Sequence, residues 1–310
     1  MKATYVLVVV LLKILLICNT KKMPTNIKLN FSKKVLKDAI LINVNAALKE
    51  DLGRIDKTSQ LISKNELGIA TIKSNQSAIL CGSLWVNSCF KKLNNRIKIN
   101  WLVSEGQSIK KGQTICQIQG RYIDILAGER VALNFLQTLS ATATETNTMV
   151  RLIKKYSPKI FDTRKTIPGL RIAQKYAVRI GGGENQRLGL YDQTLIKENH
   201  IKSFVNLSDL LNKAKLDNEF DKIQIEVENL SQLKKVLSYG IKNILLDNFN
   251  TSKIKEAIKI NKNRAILEAS GNINRKNIIN FAKTGVPRIS VGFITKNIHS
   301  IDFSMKIDRN

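Results

Sequence analysis

Apolar residues recur through the second half of the chain as short runs separated by helical stripes. Four runs, 223–227, 244–247, 265–268 and 288–291, end in or close to polar residues. These polar residues, Glu226, Asp247, Glu268 and Ser290, follow one another at 21, 21 and 22 residues. The intervals carry apolar positions at helical spacing: Leu230, Leu233, Val236 and Leu237, then Ile254, Ala257 and Ile258, then Ile278, Ile279 and Ala282. A strand and a helix repeated at this interval predict parallel β/α units arranged as a barrel. In such barrels the chemistry gathers at the C-terminal strand ends, where the four polar residues are expected.

The first half has a different texture. Ile40, Ile42, Val44 and Leu48 predict a helix that stops at Gly53. Runs at 68–72, 78–82 and 97–103 predict short strands, and Gly106, Gly112 and Gly120 fall at turn spacing. The pattern fits a small α+β sandwich, and a lipoyl-type hammerhead uses the same kind of turns. Residues 5–18 form an apolar run broken by Lys13. It is shorter than the roughly 20 residues that span a bilayer, no small-x-small cleavage site follows it, and Met23 offers a second start. The expected division is an apolar extension at 1–22, a sandwich domain at 23–132 and a barrel domain at 133–310. The fold class is therefore α/β, an N-terminal α+β sandwich followed by a TIM-like β/α barrel, open or closed.

Charge narrows the partners only slightly. The 310 residues hold 51 Lys and Arg against 24 Asp and Glu, a net charge of +27, which favours anionic ligands. The excess is spread in segments such as 91–96 and 259–264, without the basic stripe and stacking aromatics of a nucleic-acid module. Cys18, Cys81, Cys89 and Cys116 form no CxxC pair and read as reduced, buried thiols; two histidines leave little material for a Ser-His-Asp or Cys-His mechanism.

Longer motifs then stand in order. They are Gly128-Glu-Arg-Val-Ala-Leu-Asn-Phe-Leu-Gln-Thr-Leu-Ser140, Asp162-Thr-Arg-Lys-Thr-Ile-Pro-Gly-Leu-Arg171, Lys175-Tyr-Ala-Val-Arg-Ile-Gly-Gly-Gly183 and Arg187-Leu-Gly-Leu-Tyr-Asp192. Leu195-Ile-Lys-Glu-Asn-His200, Ile225-Glu-Val-Glu228, Leu246-Asp-Asn-Phe249, Glu268-Ala-Ser-Gly271 and Ile289-Ser-Val-Gly292 follow. From about Ala46 to Ile307 the chain closely resembles the quinolinate phosphoribosyltransferases, the carboxylating nicotinate-nucleotide pyrophosphorylases of NAD synthesis. The resemblance implies a cytoplasmic glycosyltransferase that joins phosphoribosyl pyrophosphate to quinolinate, releasing pyrophosphate and carbon dioxide. It also implies a homodimer or a hexamer of dimers, and no nucleic-acid or membrane partner. Carried over residue by residue, Arg130 reaches into a neighbouring subunit's site. Arg164 and Arg187 clamp the quinolinate carboxylates, and Lys165 and Lys197 lie near the phosphates. Glu226 and Asp247 associate with Mg²⁺, partly through water, and complete the catalytic set with Arg130, Arg164, Lys165 and Lys197. Thr163 and Gln186 join the substrate-binding set, with Ser270, Gly271 and Asn272, and Val291, Gly292 and Phe293, around the 5′-phosphate.

The resemblance assigns no role to Arg171, Lys175 or Arg179, which are expected to be solvated or structural, and leaves His200 outside the catalytic set. Glu228 is the alternate to Glu226. The sequence departs from the family pattern at Gln186, where a His is usual, at Asn272, where a Gly is usual, at Ala141-Thr142, and at Lys296, which replaces a His. A neutral amide donates hydrogen bonds but never becomes a cation, so Gln186 predicts weaker quinolinate binding. The rival readings are a same-fold enzyme with a changed acceptor, a catalytically decayed binding protein and a basic nucleic-acid binder.

Overall fold

The computed structural model describes residues 29–53, 57, 66–204, 206–216 and 220–308. The expected extension at 1–22 lies outside them, as does Cys18. The chain forms two compact units. One comprises Ile40–Ser140 together with the chain from Ile301 onward. The other comprises Ala141–Ser300 with the segment that ends at Ala39.

The predicted first helix is present but starts earlier, as α1 (Lys33–Leu52), and Gly53 follows it at φ +54. The strands of the first unit are β1 (Leu67–Ser74), β2 (Ala78–Ile79), β3 (Lys98–Trp101), β4 (Ser108–Ile109) and β5 (Thr114–Arg121), with β12 (Phe303–Asp308) returning from the C-terminus. Four of them form an antiparallel sheet in the order β12-β1-β5-β3, and β2 pairs with β4. The second predicted run, 78–82, is strand only at its start. Gly82 turns the backbone to φ +115, and the buried Glu105 carboxylate accepts from the amides of Gly82 (2.8 Å) and Ser83 (3.1 Å). Those amides are unpaired donors at the start of α2 (Ser83–Leu93), so an anion there favours helix over a continued strand. Trp85, Phe90, Ile72 and Ile118 form the core of this unit. Cys81, Cys89 and Cys116 are free and buried, and burial pushes the Cys89 thiol up to about 12, so it is held as the thiol.

The helix α3 (Tyr122–Leu152) is continuous through the expected boundary at 132, and the units divide within it, after Ser140. The second unit then runs β6 (Lys159–Phe161), α4 (Arg171–Ile180), β7 (Leu195–Ile196), α5 (Glu198–Lys202), α6 (Leu207–Ala214), β8 (Gln224–Val227) and α7 (Leu230–Ser238). It continues with β9 (Asn243–Asp247), α8 (Thr251–Asn261), β10 (Ile266–Ser270), α9 (Ile278–Ala282), β11 (Arg288–Ser290) and α10 (Phe293–Lys296). The six strands are parallel in the order β6-β11-β10-β9-β8-β7.

The predicted alternation is therefore present, and the barrel is open: β6 and β7 end the ladder, with a parallel bridge from Phe161 to Glu184. A flat six-stranded sheet would hold its edges roughly 24 Å apart, yet residues following or within all six strands line one cavity, which requires the sheet to curl. Leu233, Val236, Ile254, Ala257, Ile278 and Ala282 bury the predicted helix stripes against Ile225, Ile244, Leu246, Leu267 and Ile289. Asn206, Asn229 and Asn250 cap α6, α7 and α8 by accepting from the amides of Asp209, Gln232 and Lys253.

Candidate active site

The site is built from the loops that leave the parallel strands at their C-terminal ends. Behind it lies an ion pair that the sequence motifs only bracket. Asp162 follows β6, Lys175 projects from α4, and both side chains have 0% exposure, with Nζ 2.5 Å from Oδ1. Burial pushes the aspartate up and the lysine down, while their mutual attraction opposes both shifts. Asp162 also accepts from Asn185 Nδ2 (2.6 Å) and from the Gln186 amide (2.8 Å), and Lys175 donates to the Gln186 carbonyl (2.8 Å). The pair thus holds both backbone polar atoms of Gln186. Lys175 is structural rather than solvated. Arg179 is likewise paired, with Glu184, and Arg171 reaches Thr166 Oγ1, the Leu188 carbonyl and the Arg164 carbonyl. Gly181 and Gly183 are close-packing positions: a Cβ on Gly181 would stand 2.7 Å from Thr146 Cβ, and one on Gly183 would stand 2.9 Å from Thr146 Cγ2.

In front of this frame is a cavity of about 660 Å³. Thr163, Arg164, Lys165, Gln186, Arg187, Lys197, Glu226, Asp247, Ser270, Gly271 and Asn272 line it, with Ser290, the polar residue expected at its strand end, and with Leu195, Leu245 and Asn248, which the sequence did not single out. Four cations meet two carboxylates there. Arg187 is 7% exposed, donates to the Gln193 carbonyl (2.9 Å), and is pushed below the usual guanidinium range by burial and then by Arg164. Arg164 Nε is buried without a partner among the described residues. Two crowded guanidiniums, one with an unused donor, make a place for an anion with several oxygens. Lys197 Nζ lies 3.2 Å from Glu226 Oε2, and Asp247 Oδ2 accepts from Asn248 Nδ2 (2.7 Å).

Other expected residues fall outside the cavity lining. Val291 is fully buried, Gly292 packs behind Thr163 and Lys165 (a Cβ there would meet Lys165 Cδ at 3.3 Å), and Phe293 opens α10. Arg130 belongs to the first unit and is exposed. Glu228 lies past the end of β8 and is exposed, so Glu226 is the carboxylate of this strand that faces the cavity. His200 accepts from the Lys197 amide through Nδ1 (3.0 Å), the cap of α5, and so sets the turn that carries Lys197. Glu268 is not at a strand end: β10 runs on to Ser270, and Glu268 is buried one strand period below it.

Asn272, where the family pattern has glycine, sits at φ +50, and Asn248 at φ +55. Asn tolerates the left-handed region better than other non-glycine residues, which explains how the chain accommodates the change. Gly271 has no such latitude: its φ is +110, and a Cβ would lie 2.9 Å from Asn248 Cα. Gly271→Ala is expected to cost about 1–3 kcal/mol in strain and to displace Asn248 from the cavity wall. A urea midpoint and the turnover rate measured together would detect it; a variant equal to the parent in both would contradict the assigned contact.

An open parallel β/α barrel with a cationic pocket and two carboxylates at adjacent strand ends defines a polyanion-handling enzyme of the barrel class. Over residues 142–306 the chain matches the C-terminal domain of quinolinate phosphoribosyl transferase, and over 56–140 the N-terminal domain. It is 36% identical over 265 residues to a probable nicotinate-nucleotide pyrophosphorylase [carboxylating] of Bacillus subtilis, covering 85% of this chain and 92% of that protein. It is 33% identical over 283 residues to a mitochondrial quinolinate phosphoribosyltransferase [decarboxylating] of Nicotiana tabacum, covering 84% and 80%. The solved structure of the nicotinate-nucleotide pyrophosphorylase from Francisella tularensis superposes with a TM-score of 0.83 at 43% identity, covering 87% of this chain and 96% of that one. The chain belongs to the quinolinate phosphoribosyltransferase family.

Proposed function

We propose that this chain transfers phosphoribosyl from phosphoribosyl pyrophosphate to the ring nitrogen of quinolinate, giving nicotinate mononucleotide, pyrophosphate and carbon dioxide. The observation that carries the reading is the convergence of Arg164, Lys165, Arg187 and Lys197 on one cavity, opposite Glu226 and Asp247. Arg164 and Arg187 grip the two carboxylates, and Arg164 Nε gains the acceptor it lacks. Lys165 and Lys197 face the phosphates, with Ser270, Gly271 and Asn272 closing on the 5′-phosphate and Val291, Gly292 and Phe293 supporting the wall behind it.

The ring nitrogen attacks C1 of the ribose as the bond to pyrophosphate breaks. Loss of the 2-carboxylate as carbon dioxide leaves an electron pair beside the new pyridinium nitrogen, and a proton takes the vacated position. Positioning and fixed charge carry this chemistry without a covalent nucleophile.

Glu226 and Asp247 suit Mg²⁺, a hard cation that takes one or two carboxylates with water and phosphate oxygens. Among the described residues no three His, Cys, Asp or Glu side chains are grouped to hold a metal alone, so substrate would complete the set. The ion, when bound, offsets charge on departing pyrophosphate. A second copy of the chain would supply Arg130, and the reading places the protein in the cytoplasm. No helix among the described residues is long and apolar enough to cross a membrane.

The test mixes the full-length protein with quinolinate, phosphoribosyl pyrophosphate and Mg²⁺, and follows nicotinate mononucleotide and carbon dioxide together, with nicotinate as control acceptor. Equal amounts of both products from quinolinate support the reading. Turnover of nicotinate alone would move the protein to a changed acceptor, and silence with both would mark it as a binding protein. Light scattering on the same preparation reads the assembly: an active monomer would remove Arg130 from the site. Gln186→His is expected to lower the quinolinate KM by about tenfold, since a hydrogen bond from a cationic donor is worth about 1.5–3 kcal/mol; an unaltered KM would argue against it.

A further inference from the structure

The mechanism above makes no use of the buried carboxylate of Glu268. Glu268 is 1% exposed, and three donors converge on it: Gln186 Nε2, Ser290 Oγ and, at 3.1 Å, Gln224 Nε2. The strand period places Gln224 and Glu268 one layer beneath the residues that line the site. Gln224 stands two residues before Glu226, Glu268 two before Ser270, and Ser290 two before Gly292, in the manner of stacked layers inside a barrel. Gln186 and Ser290 line the cavity, whereas Glu268 and Gln224 do not. Gln186 is therefore part of the floor, and Glu268 lies under it.

An ionised carboxylate accepts hydrogen bonds and donates none, so a glutamine facing it must turn its nitrogen inward. The second hydrogen on Gln186 Nε2 points to Gln224 Oε1, at 3.4 Å. The backbone of Gln186 is fixed as well, through Asp162 and Lys175. What remains for the cavity is Oε1, with no partner among the described residues.

We propose that Glu268 is a positioning residue that holds the Gln186 amide nitrogen inward, so that Gln186 offers the substrate pocket a hydrogen-bond acceptor and becomes a determinant of specificity. The floor at this point takes a donor: a hydroxyl, an amide N–H or an ordered water. It repels a carboxylate, and the anionic groups of a ligand are forced onto Arg164 and Arg187 at the walls. This deepens the quinolinate reading and rests on it for the identity of the ligand.

Glu268→Gln tests it, because the new side chain can donate to Gln186. The Gln186 amide then turns, its NH₂ faces the cavity, and a carboxylate there is welcomed. Quinolinate affinity by calorimetry is expected to rise about tenfold, the gain of one hydrogen bond to a charged group, with KM falling by the same factor and kcat changing less. A merely structural Glu268 would give weaker binding and lower stability together, and a folded variant with unchanged or weaker affinity overturns the proposal.

A second measurement needs neither the variant nor any ligand. In the free parent protein, the Gln186 side-chain NH₂ resonances, assigned by their loss in Gln186→Met, are expected to be shifted downfield and slow to exchange. Ordinary shifts and fast exchange would overturn the proposal even if Glu268→Gln failed to fold. Should neither protein bind quinolinate, the functional reading fails, while the amide resonances still decide the orientation of Gln186.

Discussion

Lys175→Met is expected to lower the unfolding free energy by about 3–5 kcal/mol and to remove most of the activity of the molecules that remain folded. The side chain keeps its length but loses the ammonium that pairs with Asp162 at 2.5 Å and donates to the Gln186 carbonyl at 2.8 Å. The Gln186 carbonyl then loses its donor and the Asp162 carboxylate its counter-ion. A buried ion pair is weak grounds for net stability, since desolvation offsets much of its attraction, but removing one member leaves Asp162 buried with neutral donors and no counter-charge. Urea unfolding with an unchanged m-value would report the loss as a lower midpoint. Lys175→Met/Asp162→Leu separates folding from function: the double variant regains part of the stability without the activity, because the Gln186 amide now loses its acceptor and Asn185 Nδ2 keeps only the Lys175 carbonyl. A single variant within 1 kcal/mol of the parent, that is, about a fivefold shift in the folding equilibrium, and with unaltered KM would show that the frame does not depend on this pair.

Arg187→Lys is expected to reduce kcat/KM for quinolinate by about 10²–10³, the worth of two charge-assisted hydrogen bonds. Lysine keeps the charge but not the fork. One arm of Arg187 is committed to the Gln193 carbonyl, so the guanidinium is oriented before any ligand arrives. Its proton is already held less firmly because burial and Arg164 both disfavour the cation. A dianion placed between the two guanidiniums relieves that repulsion, and a compact ammonium on a flexible stem has no such geometry. Steady-state rates with each substrate varied in turn give the decision. The loss should fall on the quinolinate KM far more than on that of phosphoribosyl pyrophosphate, and an equal loss on both would move Arg187 to the phosphate side.

The strand rhythm of the second unit was legible because parallel strands buried on both faces leave continuous apolar runs. Glu226 and Asp247 were legible for the same reason, as polar residues where such runs stop. Glu268 looked alike in sequence and was misplaced, since β10 continues to Ser270 and the difference between a strand end and a buried layer is one period of two residues. The Asp162–Lys175 pair was not legible. Its members stand 13 residues apart on a loop and a helix, and nothing in Lys175-Tyr-Ala-Val-Arg distinguishes a buried lysine from a solvated one. The short strand at 78–82 was over-extended because the group that ends it, the Glu105 carboxylate, comes from 23 residues away. The strand β12 returns along the chain to pair with β1 of the first unit.

That last strand bears on how the protein is made. Its partner β1, joined through the register from Ile69↔Asp308 to Ser74↔Phe303 and by a bond from Thr71 Oγ1 to Asp308 Oδ2 (2.6 Å), leaves the ribosome well before β12. During synthesis β1 therefore waits as an unprotected sheet edge, with its free amides and carbonyls open to any other extended chain. A nascent chain stalled or cut before Phe303 would keep that edge permanently. Quality of the folded protein thus depends on how soon β12 follows β1, and crowded polysomes carrying copies that lack β12 are where intermolecular β-pairing should begin.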